Sequence, residues 1–158
     1  MSDPRHALEA IGQLPDAEID IADAALHLAR VDTPQADWQA ARTHLSALAR
    51  EAVAMAAGMA GEDLAGQAVA LQRLVGATHG YQGDGETYDD PANANLIRVV
   101  ARRRGLPVAL GVVWLHAAHA AGWAAHGVDF PGHFLIALAG AGEQVVLDVF
   151  DAGRRLDA

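Results

Sequence analysis

The stretch Pro131-Gly132-His133-Phe134-Leu135-Ile136-Ala137-Leu138-Ala139, then Gly140-Ala141-Gly142, then Gln144-Val145-Val146-Leu147-Asp148-Val149-Phe150, decides how this chain is read. Two runs of branched and aromatic residues flank a Gly-rich reversal, which predicts a β-hairpin. One strand opens on a histidine, and the other carries an aspartate near its end. A two-residue loop at Gly140-Ala141, or a four-residue loop with the same centre, sets His133 directly opposite Asp148. Their Cβ atoms would then lie about 5 Å apart on one face. A three-residue loop would put them on opposite faces. A histidine facing a carboxylate is the orienting half of several catalytic sites. It also suits a core histidine bonded to a buried carboxylate, because buried polar groups are paired whatever their role. Both faces of the two strands are apolar, which predicts a sheet covered on both sides.

Working outward, Trp123 to Asp129 reads as a preceding strand. Pro107 opens a very apolar helix to Ala121, with Gly122 as its C-cap. The apolar run from Leu106 to Ala125 could span a membrane by length, but His116, His119 and the flanking Gly and Pro predict a buried core helix. Asp90-Pro91 starts a helix that ends at Arg104-Gly105. His79 to Pro91 lacks apolar periodicity and reads as a long loop of the kind that often carries function. Further upstream, helices are predicted from Asp3-Pro4 to Leu14, from Ile19 to Val31, from Thr33-Pro34 to Gly58, and from Glu62 to Thr78. In the second of these, Ile21, Ala24, Ala25, Leu28 and Ala29 form the expected core stripe. Helices first and a short antiparallel sheet last make the fold class α+β. The 158 residues read as one domain, with a helical part over 1–78, the loop over 79–91 and a helix-plus-sheet core over 92–158.

Composition removes several function classes. The formal net charge is −9 at pH 7, which opposes binding to nucleic acid or to an anionic membrane. There is no cysteine, hence no disulfide, zinc-thiolate site or thiol nucleophile. The absence of cysteine is compatible with a cytoplasmic location, which is the expectation, and Met1 to Leu14 is polar and does not read as a signal peptide. His116 and His119 have helical metal-ligand spacing but no acidic partner, and are expected to be buried or boundary histidines. No metal and no cofactor are expected. Asp84, Glu86, Asp89 and Asp90 lack the ordered ligand spacing of a calcium loop and read as a solvated acidic loop. Arg98 and Arg102 to Arg104 suit helix-end capping and pairing with that loop better than an anion site. Trp38, Trp114 and Trp123 are expected to fill core.

Several segments stand in one order: Tyr88-Asp89-Asp90-Pro91, Asn93, Arg102-Arg103-Arg104-Gly105-Leu106-Pro107, Asp129 to Ile136, Leu147-Asp148-Val149-Phe150, and Gly153-Arg154. Together, over roughly residues 14 to 156, they resemble the bacterial SirB-type transglutaminase-like family. The resemblance implies a papain-related fold in which a Cys at the N-terminus of a buried helix is served by a His and an Asp on adjacent strands. His133 and Asp148 match the histidine and the aspartate. Asn93, Arg104, Pro107 and Gly132 are implied as binding positions. Relatives commonly continue into tetratricopeptide-like helices that bind partners.

This chain departs from the pattern where chemistry begins. The nucleophile belongs near the start of the Pro107 helix, where Pro107, Val108, Ala109, Leu110 and Gly111 offer none. A helix N-terminus and a neighbouring His activate a thiol, and here there is none to activate. The only serines, Ser2 and Ser46, lie elsewhere in sequence. Ile97 stands where the resemblance suggests Asn. The expectation is therefore a non-catalytic transglutaminase-like domain that binds a protein or peptide and retains a His–Asp pair. The alternative is an amide or peptide hydrolase with His133 as general base on water. Base catalysis of that kind contributes about 10²–10⁴-fold.

Overall fold

The computed structural model describes residues 3–59, 63–131 and 133–156. Helices α1 (Pro4–Gly12), α2 (Ile21–Asp32), α3 (Trp38–Ala57) and α4 (Leu64–Leu71) come first. Each has an aspartate at its N-cap, Asp3, Asp20, Asp37 and Asp63, whose carboxylate accepts from a backbone N–H of the first turn. An Asp→Ala change at such a position typically costs ~1 kcal/mol. Thr33-Pro34 is not the start of α3, contrary to the sequence expectation. Thr33 ends α2, its hydroxyl donating to Ala29 O at 2.9 Å, and α3 begins later behind the Asp37 cap.

The segment Gln72–Thr78 continues α4 as a π-helix. The wider turn sets two residues against the C-terminal loop. Gln72 Nε2 donates to Gly153 O at 2.7 Å, and Gly76 lies so close to Ala152 O that a Cβ there would stand 3.0 Å away. The predicted loop follows and contains a short strand, β1 (Gln82–Gly83), parallel to β2 (Arg104–Gly105). Between them a 3₁₀ turn, Pro91–Ala94, leads to α5 (Leu96–Arg102), which is capped by Asn95 rather than by Asp90.

Helix α6 (Pro107–Ala120) is the central element. Ala109, Leu110, Gly111, Val113, Trp114, Leu115, Ala117 and Ala118 are all buried, so the helix is apolar around most of its circumference and shows little amphipathic period. It packs on an antiparallel sheet ordered β3 (Ala125–Phe130), β4 (His133–Gly140), β5 (Glu143–Asp148) and β6 (Arg154–Leu156). The fourth strand, β6, is absent from the sequence reading, which also carried β5 through Phe150. Val149–Asp151 is instead a 3₁₀ turn. The α+β class stands. Among the described residues no helix is long and apolar enough to cross a membrane.

Two expectations about packing are corrected. The sheet is not covered alike on both faces. Helices reach it on the Phe134–Ile136–Leu138 face, α6 through Gly111 against the Phe134 ring and α4 through Leu64 against Gly140. Leu135 and Ala137, on the other face, are buried between cross-strand neighbours: Val128 for the first, His126 and Val146 for the second. In α2 the buried face is Ala22, Leu26, His27, Ala29 and Arg30, whereas Leu28 is 60% exposed. The Arg30 guanidinium stacks on the Trp38 ring at 3.9 Å, so a polar residue shares the inner face and disguises its period.

Candidate functional site

The hairpin register decides how His133 meets Asp148. Gly140 pairs with Glu143 and Ile136 with Leu147, so the turn is Ala141–Gly142. Both residues have positive φ, 52° and 78°, the requirement of a type I′ hairpin turn. Carried on, this register brings Leu135, not His133, across from Asp148. His133 itself pairs with Phe130 of β3. A shift of this size preserves the faces, so His133 and Asp148 stay on one side of the sheet, in diagonal rather than direct opposition. The expected imidazole–carboxylate hydrogen bond is absent among the described residues. Asp148 Oδ1 accepts from Phe150 N–H at 3.0 Å instead, capping the 3₁₀ turn that follows β5.

His133 is exposed and stands between two depressions. One is a cleft of about 940 Å³ that joins His133 to the α6 start through Pro107, Val108 and Ala109. Tyr88, Asp32 and Asp129 supply polar groups to its wall. The other, about 650 Å³, lies on the outer face of the sheet and includes Asp148, Arg154 and Phe130. The helix start thus faces His133 across a cleft, and Asp148 sits on the far side of the imidazole.

The α6 N-terminus has no side chain able to attack a carbonyl. Val108 is 60% exposed and presents an isopropyl group to the cleft. Gly111 cannot be a seat for a longer side chain, because a Cβ there would stand 2.5 Å from the Phe134 ring. Among the described residues the cleft lining holds no serine, threonine or cysteine, and the chain contains no lysine.

The implied binding positions fare differently. Pro107 lines the cleft. Gly132 lies outside the described residues. Asn93 is fully buried and structural in its contacts: its Nδ2 donates to Thr87 O and Tyr88 O, and its Oδ1 accepts from Arg102 Nη1. Arg104 Nη1 donates to Gly80 O and to Arg103 O, both at 2.9 Å. These two residues hold the 79–91 loop to the core and do not line the cleft. Asp84 corrects the picture of a wholly solvated acidic loop. It is buried, accepts from Glu86 N–H, Thr87 N–H and the Thr87 hydroxyl, and pairs with Arg102 Nη2 at 2.7 Å. Those hydrogen bonds, led by Thr87, hold its carboxyl down at about 2.

His116 and His119 each have Nε2 at a backbone carbonyl, Leu45 O and Ala125 O. Among the described residues no group of three or more His, Cys, Asp or Glu is placed to hold a metal ion. Tyr88 and Asp129, which enter the sequence reading only as part of the resemblance, Leu28, expected in the core, and Asp32 also line the cleft; none of them is expected at the site from sequence. Position in the 79–91 loop was a signal for Tyr88. The others lie on elements whose orientation only packing sets.

The family described as the transglutaminase-like superfamily matches residues 39–158. The chain belongs to the transglutaminase-like superfamily. A UPF0162 protein of Vibrio cholerae is 32% identical over 128 residues, 81% of this chain and 47% of that protein. A UPF0162 protein of Xylella fastidiosa strain Temecula1 is 40% identical over 89 residues, 56% of this chain and 32% of that protein. Human F-box only protein 21 is 31% identical over 71 residues, 45% of this chain and 11% of that protein. The chain thus spans less than half the length of these curated relatives. No solved structure matches it. Within the superfamily match lie α6, His133 and Asp148, the parts on which the site is built.

Proposed function

We propose that this transglutaminase-like domain is a non-catalytic binding module that takes a protein or peptide segment in the cleft between the α6 start and His133. The SirB-type assignment, with tetratricopeptide-like helices as its companions, belongs to the same proposal. The observation that carries it is the α6 N-terminus. Val108 presents an isopropyl group to the cleft, and the Phe134 ring fills the space a side chain at position 111 would need. Covalent acyl transfer needs a nucleophile within hydrogen-bond reach of its base, and among the described residues the cleft lining offers no thiol, no serine or threonine hydroxyl and no lysine amine. The same cleft is apolar along Leu28, Pro107 and Val108, with His133 and Tyr88 available to orient a bound segment. Concave apolar surface with a few convergent polar groups is what binding sites share.

The test is a peptide library screened on the purified chain for retention and, by mass spectrometry, for cleavage. The expected outcome is a retained peptide class, no turnover, and roughly tenfold weaker retention for Val108→Asp, the cost of placing a charge in an apolar contact. Turnover that vanishes in His133→Ala while retention persists would overturn the reading in favour of a hydrolase with His133 as base.

A further inference from the structure

The four arginines of the α5 region separate into two pairs. Arg102 and Arg104 are committed to the 79–91 loop, through Asp84 and Asn93 for the first and Gly80 O for the second. Arg98 and Arg103 instead line a separate cavity of about 650 Å³ between α5 and the N-terminal half of α3. Arg98 is exposed, and among the described residues its side chain has no partner. Arg103 ends α5 with φ 60°, a left-handed conformation that glycine or asparagine adopts more readily. A long cation at such a position is held by its contacts. Its Nη1 lies 3.1 Å from His44 Nε2 and 3.4 Å from His79 Nδ1, and the guanidinium sits 5.1 Å from the centre of the Tyr81 ring.

A guanidinium only donates, so both of these ring nitrogens are acceptors. The His44 proton is therefore on Nδ1 and the His79 proton on Nε2, where it reaches Glu51 Oε2 at 2.6 Å. Tyr81, fully buried, has its hydroxyl 2.9 Å from the same His44 Nε2, whose one lone pair is shared between the two donors. This network, with the Tyr81 hydroxyl also in hydrogen-bonding contact with Arg103, orients the guanidinium and leaves the His44 Nδ1–H without a partner among the described residues. The remaining lining is mostly small and apolar, including Ala36, Ala40, Ile97 and Ala101, with the Asp37 carboxylate engaged in capping α3.

We infer that this cavity binds a small organic anion, its carboxylate or phosphate held by Arg103, Arg98 and His44 Nδ1–H and its apolar body set against α3 and α5. Planar, two-donor recognition of such an anion is what an oriented guanidinium provides. The volume of about 650 Å³ lies within the range of small-molecule sites. Ile97, which replaces the Asn suggested by the family resemblance, adds apolar wall here. The site uses no residue of the His133 cleft and does not depend on the function proposed for it.

The test is a titration of the ¹⁵N-labelled chain with benzoate and with inorganic phosphate, followed by amide chemical shifts. Saturable shifts confined to α5 and the first half of α3 are expected, with benzoate the tighter of the two. Arg98→Gln, an exposed change, should weaken benzoate roughly tenfold, as loss of one charge-assisted hydrogen bond does. Arg103→Gln should weaken it at least as much, and His133→Ala should leave it unchanged. Absence of saturable shifts with both probes overturns the inference. So does an undiminished affinity in Arg98→Gln, whose fold is checked by its unchanged spectrum outside the cavity. If Arg103→Gln fails to fold, Arg98→Gln decides the matter alone.

Discussion

At the scale of single residues, close approach governs what can change. Gly153 has φ 82°, and a Cβ there would overlap the Trp114 ring. Gly153→Ala combines a left-handed alanine with an overpacked core, and should destabilise the fold by ~3 kcal/mol in denaturant unfolding. A loss under 1 kcal/mol would mean that the turn after β5 yields easily. Sequence could flag Gly153 as a turn residue but not what lies over it, because Trp114 is far away along the chain. The same limit applies at position 111. A glycine in an apolar helix reads as a weak point, yet here it makes room for Phe134. That His133 and Asp148 would share one face of the hairpin was legible. Their separation was not, since Gly140-Ala141 and Ala141-Gly142 are both acceptable turns and both registers leave every side chain on the same face.

At the scale of elements, α6 is the part whose role can be tested most directly. Its N-terminus points into the cleft with His133 across from it, the arrangement that depresses a thiol pKa. Val108→Cys is therefore expected to carry a thiol below the ordinary value of about 8.5. The pH profile of iodoacetamide labelling measures it, and His133→Ala should move the midpoint back up. An ordinary midpoint unaffected by His133 would show that the two do not address one point in the cleft. This helix was legible from Pro107 to Gly122 because its caps are local signals. The N-terminal helices were also legible, but the inner face of α2 was misjudged. His27 and Arg30 are buried against Trp38, and a hydrophobic count assigns such residues to solvent. Strand β6 was missed because Arg154-Arg155-Leu156 has no strand pattern of its own and exists as a strand only through its pairing with β5.

At the scale of the whole molecule, stability should depend on pH through two groups that tie distant segments together. His44 of α3 is lowered to about 4, first by burial and then by the Arg103 guanidinium. Asp84 is lowered to about 2, mainly by its hydrogen bonds to Thr87. Both folded values lie below the ordinary ones, so each contribution is complete above the unfolded value and is lost as pH falls towards the folded one. Unfolding free energy should therefore hold steady above about pH 6.5, decline towards pH 4 as the unfolded chain gains the His44 proton first, and decline again below pH 4 through Asp84. Denaturant titrations across pH 8 to 3 check this. His44→Gln should flatten the upper decline and leave the lower one. A wild-type curve that is flat from pH 7 to 4 would contradict the burial of His44 in a cationic network.

The α+β order of elements, the absence of cysteine and the position of the candidate site along the chain follow from local facts: caps, apolar runs and glycines. Such signals act over a few residues and survive without knowledge of the fold. The diagonal placement of His133 and Asp148, the Phe134 ring closing position 111, and the parting of Arg98 and Arg103 from Arg102 and Arg104 depend on contacts between segments far apart in sequence. Those contacts are set by register and packing, which one-dimensional periodicity does not encode. His133 and Asp148 were therefore readable as candidates on one face, and their geometry became readable only once the hairpin closed on Ala141–Gly142.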